Sequence, residues 1–397
     1  MRILVLAQNI GITSSGIVFE RILYELLKRK DVELDIVVSN YCSSTLLKEA
    51  KVRVVKYPKI HPRINKLIIG FAGTDIISHF LKRRMRFDNN DYDIILSLVS
   101  SGNYFGLIAG LYLKKRLNVK WGCYFVDAIP APNGWIPNDL YFRSVRRMVS
   151  RVLRSVDYLA SVSKEMLVYQ MSLFERKDNL LTDVLYPPTE TTRIVHYEAN
   201  GDNRCFLYTG SLYGLRKAKY IIEAFSAFCE EVNNIDLIFV GDCHHVVDAE
   251  KKKYNDEISK RIVVKPYTSN LIPYYKNSIA LIDIDADVEN DVFLSGKIGS
   301  YLAIDRPIIC ETGLNSPSRH IFAGLSSIIQ CEHNPTSLKK AMNYVIDNQD
   351  KFDYSERNHV LKDFSAGSVA QKLFNGLRHC LQQNDYITAP LETECEV

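Results

Sequence analysis

The sequence predicts an α/β protein with two Rossmann-like domains, whose parallel sheets face each other across a cleft. Short apolar, β-branched runs alternate with helical patterns along the chain, as they do in parallel sheets wound by right-handed crossovers. The alternation forms two series that meet near Pro187 and Pro188, where paired prolines end regular structure. The length of 397 residues suits two or three domains.

The individual elements follow from these runs. Six strands are predicted in the first series: Ile3–Leu6, Leu34–Val38, Val52–Val55, Ile94–Val99, Trp121–Phe125 and Tyr158–Val162. Six more are predicted in the second: Cys205–Tyr208, Leu237–Val240, Ile262–Val264, Ile279–Ile284, Pro307–Ile309 and Ser327–Ile329. Helical patterns between the strands include Ile17–Lys28, Tyr220–Glu231 and Lys297–Ala303.

These elements predict the domain organisation. We expect an N-terminal domain over residues 1–188, a linker over 189–203 and a C-terminal domain over 204–363. A last helix over 364–384 is expected to pack back on the N-terminal domain. The polar tail over 385–397 is expected to be frayed.

The composition is that of an ordinary soluble globular protein, with 47% hydrophobic and 24% charged residues. The charge is unevenly placed. Residues 1–190 carry 28 Lys and Arg against 18 Asp and Glu, a balance of +10, whereas residues 191–397 carry 22 against 28, a balance of −6. A basic front half and an acidic back half suggest surfaces with different partners.

Cysteine usage and hydropathy indicate a cytoplasmic protein. The nine cysteines are scattered without a Cys-x-x-Cys pair, which disfavours a zinc site, and their odd count fits a reducing compartment. The N-terminus reads as a strand and lacks the apolar core of a signal sequence. The apolar stretch 94–113 has polar residues in its first half, so it predicts a strand, a turn and a helix (Tyr104–Lys115) rather than a membrane span.

The first candidate ligand-binding segment is Tyr208–Lys217 (YTGSLYGLRK), which precedes a predicted helix over Ala218–Phe228. A strand ends here in a glycine turn, and Gly210 allows the backbone to approach a ligand closely. Helix N-terminal amides attract anions, and Arg216 or Lys217 has the charge to bind a diphosphate. The competing interpretation is a surface loop with solvated charges.

The second segment is Leu294–Ala303 (LSGKIGSYLA), followed by a turn and the strand near Pro307. Ser295 and Gly296 open a predicted helix, and Lys297 lies in its first turn. A cation at this position opposes the helix dipole, so it favours a site where an anion also binds. The competing interpretation is an ordinary helix start with an exposed lysine.

Together these segments resemble the GT-B glycosyltransferases of the family-4 type. Residues 208–225 are similar to the TG-x-L…R/K…L-x-x-A element of that family, and residues 295–309 to its S-K-x-x-E-Y-L-A-x-x-K-P-I-I element. The first half is similar in the order of its elements. Three segments resemble those of the family: the opening strand, glycine loop and helix of residues 1–38, the strand and loop of residues 123–132, and residues 161–163 before the linker.

The resemblance implies a retaining enzyme that moves a sugar from a nucleoside diphosphate sugar, held by the second domain, to an acceptor held by the first, without a metal or other cofactor. We expect the acceptor to be a growing saccharide carried on a lipid at the cytoplasmic membrane face, in surface polysaccharide synthesis. The implied donor-binding residues are Gly16, Gly210, Arg216, Lys217, Ser295, Gly296, Lys297 and Ser300.

Asp127 and Asp291 are the candidate catalytic residues. Asp127 follows a predicted strand and would hold or polarise an acceptor hydroxyl, or else cap a turn. The paired-Glu signature of the family is missing, since Ser300 stands at the second position and Val292, beside Asp291, at the first. Two rivals therefore stay open: a sugar-nucleotide 2-epimerase and a non-catalytic partner subunit of the same fold. A dehydrogenase is disfavoured, because neither series opens with G-x-G-x-x-G.

Metal binding has two weak candidates. Asp283, Asp285 and Asp287 alternate, and an Asp-x-Asp pattern can ligate a metal that bridges a diphosphate. The same residues suit a metal-free cleft or a solvated loop. His244 and His245 are adjacent and point apart, with no matching ligand spacing. We predict no metal site.

The predicted helix Tyr141–Val156 has one apolar and one basic face. The basic face carries Arg143, Arg146, Arg147, Arg151 and Arg154. It is either solvated or bound to anionic lipid headgroups, and the run Lys82–Arg86 lies in the same half. Nucleic acid is not an expected partner, because the basic clusters lack interleaved aromatic residues.

Overall fold

The computed structural model describes residues 1–85, 87, 91–132, 134–175, 178–198 and 204–383. Parts of five sequence-based expectations lie outside these residues: the frayed tail over 385–397, residue 384 of the last helix, residues 199–203 of the linker, Arg86 in the basic run and Cys395 among the cysteines.

The N-terminal half forms a parallel sheet of seven strands within the described residues, in the order β3-β2-β1-β4-β5-β6-β7. Its strands are β1 (Arg2–Asn9), β2 (Glu33–Tyr41), β3 (Lys51–Val54), β4 (Ile94–Val99), β5 (Lys120–Phe125), β6 (Tyr158–Ser161) and β7 (Leu181–Val184). Six match the predicted runs. The sequence pattern misses β7, because this edge strand (LTDV) is half-buried at all four residues and has no apolar run.

The C-terminal half forms a second parallel sheet, in the order β10-β9-β8-β11-β12-β13. Its strands are β8 (Arg204–Thr209), β9 (Ile235–Val240), β10 (Ile262–Lys265), β11 (Ser278–Ile284), β12 (Ile308–Glu311) and β13 (Ile328–Cys331). All six correspond to predicted runs. In each sheet the strands are added first on one side of the first strand (β1 or β8) and then on its other side. This change of direction leaves a crevice at the carboxyl ends of the strands.

Helices cover both faces of the two sheets. In the N-terminal half they are α1 (Ser14–Leu27), α2 (Ser44–Glu49), α3 (Pro62–Ala72), α4 (Ile76–Leu81), α5 (Phe105–Leu117), α6 (Leu140–Leu153) and α7 (Lys164–Met171). In the C-terminal half they are α8 (Lys219–Cys229), α9 (His244–Lys251), α10 (Asp256–Arg261), α11 (Ile272–Asn277), α12 (Ile298–Leu302), α13 (Pro317–Ile321), α14 (Pro335–Asp347), α15 (Asn358–Asp363) and α16 (Ala366–Gln382). Short 3-10 helices span Lys82–Arg84, Gln349–Lys351 and Tyr354–Arg357.

The last helix returns to the N-terminal half. α16 packs on α1 and β7, and its apolar residues Leu373, Phe374 and Leu377 belong to the N-terminal core. The chain thus crosses between the halves twice. The two crossings lie side by side, because the Thr189 N–H donates to the Phe364 carbonyl (2.7 Å) and the Ala366 N–H donates to the Thr189 carbonyl (3.0 Å).

Two predictions about helices are confirmed. The stretch 94–113 forms β4 and then α5, and no helix within the described residues is long and apolar enough to cross a membrane. On α6, the five arginines are exposed, whereas the apolar positions opposite them, such as Val145 and Val149, are buried. This separation stabilises the helix through its apolar face and leaves the basic face free for another role.

Candidate active site

A cleft of about 660 Å³ lies between the carboxyl ends of the two sheets. The N-terminal half lines it with the turn after β1, the residues after β5 and Val162 after β6. The C-terminal half contributes the turns after β8 and β9 and the segment Phe293–Lys297 before α12. Parallel strands bring these loops together from distant parts of the sequence, as in other open α/β sheets that bind ligands at this edge.

Glycines bring backbone close to the cleft at the ends of β8 and β9. Gly210 has φ +120°, a conformation that side chains disfavour, and its N–H donates to the Val240 carbonyl (2.8 Å). A Cβ on Gly241 would lie 2.2 Å from the Gly210 carbonyl oxygen. The two turns therefore pack backbone against backbone, and neither position accepts a larger residue.

Lys297 lies in the floor of the cleft. Its Nζ donates to Oδ1 of Asp283 (2.9 Å) and to Oγ of Ser295 (3.2 Å), and it lies 4.6 Å from the centre of the Tyr208 ring. Burial alone would lower the Lys297 pKa, but the charge and hydrogen bond of Asp283 together with Tyr208 outweigh burial, and the pKa is raised. Lys297 is therefore a fixed positive charge. It precedes α12, which begins at Ile298, so the expectation that Lys297 lies in the first helical turn is wrong by one residue.

Arg216 reaches the same cleft from the loop before α8. The helix begins at Lys219, between the starts at Ala218 and Tyr220 that the sequence predicts, so Arg216 lies in the preceding loop and not at a helix start. Its guanidinium carbon lies 5.8 Å from the Trp135 ring centre and 5.6 Å from that of Tyr213. Its Nε has no hydrogen-bond partner among the described residues. Burial lowers the pKa of the guanidinium, but Tyr213, Asp285, Tyr208 and Asp283 together raise it by more, so the group stays charged.

Three buried carboxylates, Asp283, Asp285 and Asp291, lie beneath these two cations. In the described part of the chain, each has one oxygen without a hydrogen-bond partner. Burial raises the pKa of Asp285 to about 8, and the charges of Asp283 and Asp291 add to this shift. Burial also raises the pKa of Asp291. The floor of the cleft therefore holds more acidic groups than it can keep ionised at neutral pH.

Asp127 faces the cations from the N-terminal half. It follows β5, lines the cleft, and its Oδ2 accepts the Ser101 N–H at 2.8 Å. Burial raises the pKa of its carboxyl group, although the Ser101 hydrogen bonds oppose the shift. Ser101 also lines a second pocket of about 460 Å³ in the N-terminal half. Asp127 thus lies where the cleft and this second pocket meet.

The structure groups some of the predicted site residues and separates others. Gly210, Arg216, Ser295, Gly296, Lys297 and Asp127 all line the cleft. Four predicted residues are absent from its lining: Gly16, Lys217, Ser300 and Asp291. The Gly16 N–H is bonded to Oγ1 of Thr13 (3.0 Å), the cap of α1. Lys217 donates to Asp287 (2.9 Å), Ser300 lies within α12, and Asp291 is 1% exposed.

Other residues of the cleft had no sequence-based prediction. Ser14 and Ser15 line it from the first turn of α1, and Arg21 lies one to two turns further along the same helix. The position of Ser14 and Ser15 directly after the glycine turn that follows β1 was an available signal. Tyr267 after β10 lines the cleft, and Trp135 before α6 packs on the lining residue Phe293; neither had a signal, because isolated aromatic residues in loops match no spacing rule.

Within the described residues, no group of three or more His, Cys, Asp or Glu side chains is arranged to hold a metal ion. Asp283, Asp285 and Asp287 do not converge: Asp283 binds Lys297 and Asp287 binds Lys217. His244 begins α9 and lies 3.3 Å from Asp248, one turn later. Independence from metal remains a prediction.

The sequence matches no established family profile, and it has no significant similarity to a curated protein. Solved structures match it over nearly its whole length. The apo form of the lipopolysaccharide outer core galactosyltransferase WaaB matches with a TM-score of 0.64 and 14% identity, covering 96% of this chain and 99% of that chain. Anabaena Alr3699/HepE in complex with UDP matches with a TM-score of 0.63 and 12% identity, covering 98% and 99%.

A third match is a putative UDP-N-acetylglucosamine 2-epimerase from Listeria monocytogenes, with a TM-score of 0.56 and 12% identity, covering 96% of this chain and 97% of that chain. Identities this low show the fold alone. The two parallel sheets that face a common cleft, together with these full-length matches, show that this chain has the GT-B fold.

Proposed function

We propose that this protein is a glycosyltransferase that moves a sugar from a nucleoside diphosphate sugar to a saccharide acceptor. The observation that carries the proposal is the pairing of Arg216 and Lys297 in one cleft, opposite Asp127 of the other half. Two of the matched structures support it, since WaaB is a galactosyltransferase and HepE was solved with UDP.

The two cations suit the electrostatic demand of the reaction. Breaking the bond between the anomeric carbon and the diphosphate leaves negative charge on the leaving group, and fixed cations in a partly buried cleft stabilise that charge. Arg216 and Lys297 keep raised pKa values and so remain charged at all physiological pH values. The turn at Gly210 and the exposed Gly296 bring backbone to the same region.

Asp127 is the group we assign to the acceptor. Its half-buried carboxylate would accept a hydrogen bond from the attacking hydroxyl, and its raised pKa makes it a better base than an exposed carboxylate. Retention of the anomeric configuration, which the family resemblance implies, is part of the proposal. Asp291 is buried below the lining, and so its proposed role is electrostatic, through Arg216 and Asp285.

The 460 Å³ pocket beside Asp127 has the chemistry of a saccharide site. Amide side chains line it (Gln8, Asn40, Asn103), and so do the aromatic rings of Tyr57, Tyr104 and Tyr141. Amides donate and accept hydrogen bonds with sugar hydroxyls, and aromatic faces pack against the apolar faces of sugar rings. We therefore place the acceptor saccharide in this pocket.

A lipid carrier for that acceptor is supported by the surface of the same half. α3 packs across α6, and Ser144 donates to the Gly70 carbonyl at the crossing (2.8 Å). On α3, Ile64, Leu67 and Phe71 are 53%, 61% and 80% exposed. An apolar stripe beside the basic face of α6 is the arrangement of a protein that lies on an anionic membrane. We propose that it docks there, at the cytoplasmic face.

One experiment separates this proposal from its rivals. The protein is incubated with UDP-, GDP-, ADP- and CDP-sugars, with and without a saccharide acceptor, and nucleoside diphosphate release and sugar configuration are followed by NMR. A glycosyltransferase releases nucleoside diphosphate only with the acceptor and forms a new glycosidic bond. An epimerase, the second candidate because of the Listeria match, changes the sugar without an acceptor. A non-catalytic subunit does neither, and that result would contradict our proposal.

A further inference from the structure

Trp135 belongs to the N-terminal half but packs into the C-terminal half. It lies in the segment between β5 and α6, and its ring centre lies 4.9 Å from that of Phe293 and 6.3 Å from that of Tyr213. The Arg216 guanidinium lies 5.8 Å from the same indole. One side chain from the acceptor-binding half thus contacts the proposed diphosphate-binding cation of the other half.

Two glycines make room for this contact. Gly214 has φ +62°, and a Cβ there would lie 3.1 Å from Cζ3 of Trp135, so the indole packs directly on the backbone of the loop that carries Arg216. Gly134 has φ +96°, which turns the chain just before Trp135, and its neighbours are Leu215 and Val288 of the C-terminal half. The backbone conformations at Gly134, before Trp135, and at Gly214, in the contacted loop, therefore allow the indole to insert.

The contact rests on the faces of the rings rather than on hydrogen bonds. The Trp135 Nε1 and the Arg216 Nε are both buried, and neither has a hydrogen-bond partner among the described residues. The exposed Tyr213 ring flanks the guanidinium at 5.6 Å. The orientation of Arg216 toward the cleft therefore depends on the two aromatic rings, through cation–π attraction and packing.

We infer that Trp135 is a positioning residue: it holds Arg216 in the direction of the donor diphosphate, so nucleotide affinity in the C-terminal half depends on a residue of the N-terminal half. The inference rests on the proposed function, in which Arg216 binds that diphosphate. Trp135 itself need not touch the nucleotide. Its effect passes through Arg216, and this separates positioning from direct binding.

The composition of the chain supplies a probe. Only two tryptophans are present, and the other, Trp121, is fully buried in the N-terminal core with its Nε1 donating to Ser97. The fluorescence difference between the parent protein and Trp135→Phe is therefore the signal of Trp135. UDP, GDP, ADP and CDP are titrated into both proteins, and binding is measured in parallel by calorimetry. A nucleotide that engages Arg216 changes the charge beside the indole, so emission is expected to change in the parent protein alone.

Variants then test the mechanism. Trp135→Ala is expected to weaken binding of the preferred nucleotide by about 3- to 10-fold, as for loss of one cation–π contact, and Trp135→Phe by less than about 2-fold. In the Arg216→Ala background, Trp135→Ala should weaken binding no further, because the residue through which it acts is gone. With a sugar donor, Trp135→Ala should lower kcat as well as raise KM for the donor, because Arg216 also stabilises the leaving charge, and neither change should appear in the Arg216→Ala background.

Two results would overturn the inference in distinguishable ways. If a nucleotide binds the parent protein but Trp135 emission is unchanged, or the losses from Trp135→Ala and Arg216→Ala add fully, the positioning role is wrong and the proposed function survives. If none of the four nucleotides binds the parent protein by calorimetry, the proposed function fails and the inference fails with it.

Discussion

In the floor of the cleft, Nζ of Lys297 lies 2.9 Å from Oδ1 of Asp283, a carboxylate with no exposure to solvent. A buried charge that loses its partner is strongly destabilising, whereas removal of both partners can be nearly neutral. Lys297→Met should therefore lower the free energy of unfolding by about 3–5 kcal/mol. Lys297→Met combined with Asp283→Asn should recover most of that loss in urea unfolding curves. A double variant no more stable than the single one would contradict the pairing.

Nucleotide binding provides the second prediction. Arg216→Ala should weaken binding of the nucleoside diphosphate by about 1–3 kcal/mol, the range for a hydrogen bond to a charged group. The neighbouring Lys217→Ala is the matched control, because Lys217 pairs with Asp287 and does not line the cleft. Calorimetry should show a loss in the first variant and little change in the second. Equal affinities in all three proteins would remove Arg216 from the site.

The free energy of unfolding should depend on pH through the protonation of Asp285. Its pKa is about 8 in the folded protein, against about 3.9 in an unfolded chain, so the folded state binds the proton more tightly. This contribution to stability is complete below pH ~4 and is lost as pH rises toward 8. Between pH 5 and 7.5 the parent protein should lose stability relative to Asp285→Asn, by at most about 1.4 kcal/mol per pH unit.

Asp287→Asn is the control for that measurement. Burial raises the pKa of Asp287, but the hydrogen bond and the charge of Lys217, with smaller contributions from His333 and Tyr220, together lower it by more, so the contribution of Asp287 is lost only as pH falls into the acid range. The difference between the parent protein and Asp287→Asn should therefore be flat from pH 5 to 8. A flat difference for Asp285→Asn as well would show that Asp285 is ionised throughout.

Sugar transfer is expected to survive treatment with EDTA. The cations that would neutralise the leaving diphosphate are Arg216 and Lys297, and the described residues offer no cluster of three metal ligands. Activity is measured after dialysis against EDTA, with the parent buffer as the control. Complete loss of activity that Mg²⁺ or Mn²⁺ restores would show that the diphosphate needs a metal.

Membrane docking should depend on the basic face of α6. Replacement of Arg143, Arg147 and Arg151 by Gln should release the protein from anionic vesicles, since each such charge near the surface contributes roughly 1 kcal/mol. Raised salt should have the same effect. The fold should be unchanged, because the three side chains are exposed.

The matched control carries the same change of charge elsewhere. Lys251, Lys252 and Lys253 lie at the end of α9 in the C-terminal half, and their replacement by Gln also removes three positive charges. Co-sedimentation with vesicles should be lost in the arginine variant and kept in this one. Equal binding of both variants would leave the arginines as a solvated face.

The sequence predicts the two sheets well because strands such as β1 and β11 are short, mainly apolar runs. Such a run is recognised from neighbouring residues alone, without knowledge of the tertiary fold. Gly210 and Lys297 could be placed in the cleft because both lie in motifs at the ends of strands. Lys217 and Ser300 do not line the cleft, although the same motifs contain them, because the direction of a side chain depends on the folded chain around it. Asp287 draws Lys217 away from the cleft, and only the folded chain reveals this pairing.

Trp135 is a residue whose role the sequence analysis did not predict. Its partners Phe293 and Arg216 lie far along the chain, and nothing in the spacing of the sequence links the three. The same is true of the charge state of Asp285, which depends on burial and on Asp291. Long-range contacts and desolvation both follow from the tertiary fold, so they stay outside the reach of local patterns.

The return of α16 to the N-terminal half has a consequence for synthesis on the ribosome. The core of that half includes Leu373 and Phe374, which are made after the last strand of the C-terminal sheet, β13. Domains usually complete themselves in the order of translation. Here the N-terminal half is made first, but the apolar surface of α1 that α16 covers stays exposed until the C-terminal half has been made. A nascent chain arrested before residue 366 therefore exposes this surface of α1 to chaperones.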